Sequence, residues 1–92
     1  MVSLGGNIEI INFDYLEPGK LIVVKKIIGN YAKKAAESPE FKRLILELIE
    51  EEGITIKATL EDKKNHNVTV TDGNLFFALH KALDGLSVAK DL

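Results

Sequence analysis

Apolar residues recur along this chain with two different periods, and the switches between them mark its elements. IEIINF at 8–13 is rich in β-branched residues and predicts a first strand. Over 20–37, Leu21, Val24, Ile28, Tyr31, Ala32 and Ala35 recur at three- and four-residue steps, the signature of one apolar helix stripe. LEPGK opens that helix: Pro18 suits a first turn whose N–H groups lack intrahelical partners, and Glu17 suits its positive end. Ser38-Pro39 closes it, because proline disfavours helical geometry in the residue before it. Gly29 in its middle costs about 1 kcal/mol relative to alanine, a cost that close approach by a strand would explain.

FKRLILELI at 41–49 suits a helix by composition, but its alternation favours a strand. Leu44, Leu46 and Leu48 then share one face, and Phe41, Arg43, Ile45, Glu47 and Ile49 the other. Glu51-Glu52-Gly53 reads as a hairpin turn into ITIKATL, where Ile54, Ile56, Ala58 and Leu60 share a face. A polar loop is expected over 61–67, then a short strand from Val68 to Thr71. The last helix is predicted from Leu75 to Ala89, with Asp72 or Asn74 as its N-cap. Leu75, Leu79, Ala82 and Leu86 form its stripe, widened by Ala78, Leu83 and Phe76. Phe77 points away from that stripe, beside Asp84.

The order strand, helix, three strands, helix predicts an α+β fold, βαβββα. A four-stranded sheet would have two helices packed on one face. The three later strands pair antiparallel through short connections, and the first strand–helix–strand unit is a right-handed crossover if its strands are parallel neighbours. Ninety-two residues fit one domain.

Composition narrows the chemistry. There is no cysteine, which excludes disulfides and thiolate metal sites. MVSLGGN lacks the basic and apolar regions of a secretory signal. The run LIVVKKII is broken by Lys25 and Lys26 and is far short of the ~20 residues a bilayer requires. No membrane partner and a cytoplasmic location are therefore expected, and the sequon at Asn67-Val68-Thr69 is read as chance. The net charge of -2 argues against nonspecific nucleic-acid binding through bulk charge. Its distribution is lopsided, however: Lys20 to Lys34 holds five lysines and no acid, and Glu47 to Glu52 is acid-rich.

PGKLIVVKKIIGNYAKKAAES and TDGNLFFALHKALDGL, in this element order, resemble the ribosome-associated inhibitor and hibernation-promoting factor family. An early helix with recurrent lysines and a late helix start like Asp72, Phe76, Phe77, Ala78 and Ala82 carry the likeness, over about 8–86. The resemblance implies a domain that binds small-subunit ribosomal RNA and restrains translation under stress. It assigns phosphate contacts to Lys25, Lys26, Lys33 and Lys34 on the first helix and to Lys81 and Lys90 on the second. The family's second helix usually ends in a basic run, whereas here Gly85 interrupts LDGLSVAKDL and only Lys90 is positive. Fewer phosphate contacts imply weaker, less salt-sensitive binding.

On helical spacing Lys26 and Lys33 share one outward flank with Asn30 between them, and Lys34 lies nearer the other. This is either a phosphate-contacting ridge, with Tyr31 or Phe77 stacking a base, or an ordinary solvated face. His66, in the expected loop, and His80 read as surface histidines, since no cluster offers the three or four ligands of a zinc site. His80 could join an RNA-facing or oligomer surface. None of the three serines lies in a nucleophile motif, no carboxylate pair is evident, and no enzyme or cofactor is expected. The competing reading is a homodimer or higher oligomer, an interaction module joined through the open sheet face, where Ile45 lies, or through an edge strand.

Overall fold

The structure is a computed structural model that describes residues 2–3, 7–13, 16–50 and 53–90, the first two and the last three without their side chains. Strands β1 (Val2–Ser3), β2 (Ile8–Ile11), β3 (Arg43–Ile49), β4 (Ile54–Glu61) and β5 (Asn65–Asp72) accompany helices α1 (Pro18–Ala35) and α2 (Leu75–Lys90). The expected βαβββα arrangement is present as β2-α1-β3-β4-β5-α2. The two-residue β1, antiparallel to β2, was not foreseen from the sequence. The sheet order is β1-β2-β3-β4-β5. β2 and β3 are parallel neighbours, so α1 is the crossover between them, while β3–β4 and β4–β5 are antiparallel.

The strand expected over 41–49 forms from Arg43 to Ile49, as its alternation predicted, while the Phe41 N–H closes a turn on the Ser38 carbonyl. Register aligns Ile10 with Leu46, Leu46 with Ala58, and Ala58 with Val68, so the even-numbered positions form one apolar face. Leu44, Leu46, Leu48, Ile56, Ala58 and Leu60 are buried there, in the same cluster as Val24 and Ile28 of α1 and Leu79 and Leu86 of α2. Both helices therefore cover that face. Fully burying aliphatic side chains of this size contributes about 1.5–3 kcal/mol each.

The other face is a polar lattice. Arg43 Nε lies 2.9 Å from Glu61 Oε2, and its Nη1 lies 3.6 Å from Glu9 Oε1. The Thr55 and Thr71 hydroxyls are 2.9 Å apart, and Thr59 Oγ1 donates to Asn67 Oδ1 at 3.0 Å. Ile45, aligned with Glu9 and Thr59, is half-buried within this lattice.

The largest differences from expectation lie at β5 and in α2. The predicted loop over 61–67 is only the short turn between Glu61 and Asn65, and β5 begins three residues before Val68. His66 is accordingly a strand residue, largely buried rather than on the surface, with Nε2 3.2 Å from Asp62 Oδ1. Asp62, only 7% exposed, also accepts the Lys64 N–H at 2.8 Å, which pins the turn. Gly85 does not interrupt α2, which runs through it to Lys90. A Cβ built on Gly85 would lie 2.9 Å from Val68 Cγ1, whereas one built on Gly29 would meet nothing within 4 Å. Close approach to a strand thus belongs to Gly85 and not to Gly29.

Candidate nucleic-acid interface

Helix α1 buries Val24, Ile28, Ala32 and Ala35. With 3.6 residues per turn, Lys26 and Lys33 then project almost directly away from the sheet. Asn30 lies between them, and all three are exposed. Lys20 and Lys34 occupy the flank shared with Tyr31, and Lys25, half-buried, lies on the opposite flank. The α1 candidates form a central pair with wings, not one row. None of the five α1 lysines makes an ion pair with a described residue, in contrast to Lys63, Lys81 and Arg43.

The field is segregated. α1 holds five of the twelve basic residues and none of the fourteen acidic ones, so the remaining chain has seven basic against fourteen acidic residues. A helix of one sign on a body of the other concentrates potential where the lysines are. Lys33 and Lys34 also suit the negative end of the helix dipole, irrespective of any ligand.

Helix α2 is electrically different. Its N-cap is Asn74, whose Oδ1 accepts the N–H groups of Phe76 at 2.9 Å and Phe77 at 3.1 Å. Asp72 instead accepts the Asn74 N–H at 3.1 Å and holds Lys81 Nζ at 2.7 Å. That lysine hydrogen bond, followed by the Asn74 amide, keeps the Asp72 carboxyl below its ordinary pKa. Lys81 is thus already partnered. The Lys90 side chain lies outside the described residues.

Phe77 is 62% exposed and points away from the sheet, and His80 is exposed beside it. On α1, Ile22 and Val23 are also exposed, about one turn before the ridge of Lys26 and Lys33. Tyr31 is half-buried against the core, and Ser87 Oγ reaches its hydroxyl at 3.4 Å. Burial raises the Tyr31 pKa, the Ser87 hydrogen bond opposes it, and nearby Asp84 adds the least, in the upward direction. Its ring is committed to the helix–helix seam, which leaves Phe77 as the freer stacking surface. Ile45 lies across the sheet from all of these and cannot share a surface with them.

Among the described residues no group of three or more histidine, aspartate or glutamate side chains is placed to hold a metal ion, and no helix is long and apolar enough to cross a membrane. The sequence reading missed the extent of β5, an eight-residue strand at the sheet edge. Comparison with protein-family models and with curated proteins finds no match to this chain.

Proposed function

We propose that this is an RNA-binding regulatory domain whose contact surface is α1, with Lys26 and Lys33 as the central phosphate contacts and Lys20 and Lys34 beside them. The observation that carries the reading is the segregation of charge: five lysines on a helix without an acid, none paired with a described residue, set on an acidic body. Phosphate contacts through lysine position a protein on RNA without reading sequence. Exposed Phe77 is the candidate for stacking an unpaired base. The family resemblance makes small-subunit ribosomal RNA the substrate of first choice, with restraint of translation under stress as the role. The expected two-helix surface narrows to one helix, because Lys81 must give up Asp72 to contribute.

The test replaces Lys26, Lys33 and Lys34 with glutamine and follows co-sedimentation with ribosomes at low and moderate salt. The parent should sediment at low salt and release as salt rises. Each lysine–phosphate pair removed should lower the slope of log affinity on log salt by about 0.7–0.9. The triple variant should therefore show a slope smaller by about two to three if all three lysines reach phosphates. A parent that stays in the supernatant at low salt, or a triple variant that sediments equally well, overturns the proposal.

A further inference from the structure

The two edges of the sheet are unequal. β1 is two residues long, whereas β5 presents eight residues that contain neither lysine nor proline, the usual guards of an exposed edge. Hydrogen bonding shows which of its backbone groups have no partner among the described residues. The Glu61 carbonyl accepts from Lys42, on the β3 side, and the Asp62 N–H donates to Lys64, on the β5 side. Even-numbered β4 residues therefore address β5. Register pairs them with the even-numbered residues His66, Val68, Val70 and Asp72. The N–H and C=O groups of Asn65, Asn67, Thr69 and Thr71 point out from the sheet edge.

We infer that β5 is a dimerisation strand, pairing antiparallel with β5 of a second copy about a two-fold axis at Thr69. In that register Thr69 faces itself and Asn67 faces Thr71 as the hydrogen-bonded pairs, which is the set of residues with outward backbone groups. The intervening pairs set Val68 against Val70, so apolar meets apolar, and place His66, held by Asp62, opposite Asp72, held by Lys81, on the same face. The strand is its own complement. α2 lies over β4 and β5, so the two copies of α2 would come about 10 Å apart, two strand spacings, within the usual range for packed helices. The smallest side of α2 at that level is Gly85, beside Val68. α1 is the crossover between β2 and β3, away from the β5 edge, so its lysines stay free in the dimer.

Light scattering over a range of concentrations tests this with the full chain. The parent should approach twice 10.2 kDa as concentration rises. Thr69→Pro removes an outward N–H and no β4–β5 bond, and should give 10.2 kDa with an unaltered circular dichroism spectrum. Thr69→Lys places like charges opposite each other at the axis and should do the same even if the proline variant misfolds. Thr69→Cys, in a chain otherwise without cysteine, should form an interchain disulfide on oxidation, because hydrogen-bonded partners lie about 5.5 Å apart at Cα. A parent that is monomeric throughout, a dimer that survives the lysine substitution, or a Thr69→Cys dimer that does not cross-link overturns the inference. The glutamine variants of α1 should keep the parent mass, so failure of RNA binding and failure of dimerisation are separable.

Discussion

The two helices cover one sheet face by different means. α1 presents Val24 and Ile28 to the sheet and stands further from its strands, whereas α2 comes down on β4 and β5 through Ala78, Ala82 and Gly85. Their outer sides differ too. α1 carries lysines that pair with no described acid, and exposed Ile22 and Val23, while α2 balances Lys81 against Asp72. The contrast teaches that tight packing and an available charged surface have been placed on separate helices. α2 has little freedom to change on its inner side, and α1 has little reason to resist change on its outer side.

The largest expected effect uses the two helical glycines as opposite probes. Gly85→Ala drives a methyl into a β-branched side chain that cannot easily rotate away, an overpacking cost of about 1–3 kcal/mol. About 1 kcal/mol returns through helix propensity, so a net loss of about 1 kcal/mol is expected. Gly29→Ala meets open space and should gain about 0.5–1 kcal/mol. Urea denaturation of both variants measures the difference, and Val68→Ala should restore the Gly85→Ala variant in a double-mutant cycle. Equal effects of the two substitutions would erase the distinction between the helices.

That pair also shows where reading a sequence stops. Both glycines interrupt helical patterns and look alike locally; only the long-range packing of α2 on Val68 tells them apart. Strand β3 was legible because Leu44, Leu46 and Leu48 alternate cleanly and a glycine turn follows. The start of β5 was not, since its first inward position is His66, whose polarity hides the period-two pattern. Asp62, from the adjoining turn, satisfies that imidazole and makes its burial tolerable. The lysine ridge of α1 follows from helical spacing alone. The engagement of Lys81 does not, because its partner sits nine residues earlier, across a strand–helix junction.

Next in size is the difference in helix starts. Asn74 caps α2 with two hydrogen bonds, while Glu17 at the start of α1 makes no side-chain cap bond. Asn74→Ala should cost about 1 kcal/mol, and Glu17→Ser should gain a few tenths to about 1 kcal/mol by supplying the missing acceptor. Thermal midpoints of the two variants measure this, and a neutral Asn74→Ala would show that α2 is held by packing without help from its cap.

The smallest expected effect concerns charge and reads out in pH. Asp72 is held below its ordinary pKa by Lys81 first and by the Asn74 amide second. A carboxyl with a depressed folded-state pKa contributes stability that is fully present above the unfolded value, about 3.9, and is lost as pH falls through the lower folded value. The parent should therefore exceed Asp72→Asn in thermal midpoint at neutral pH, and the gap should close below about pH 4. Because the pair is largely exposed, the gap should also narrow as salt screens it. Lys81→Gln should reproduce the loss, and glutamine at Lys26 or Lys33 should not, since neither pairs with a described acid. If the parent and Asp72→Asn lose stability in parallel throughout the acid range, the 2.7 Å contact contributes nothing in solution and Lys81 is as free as its counterparts on α1. The basic surface would then extend to both helices.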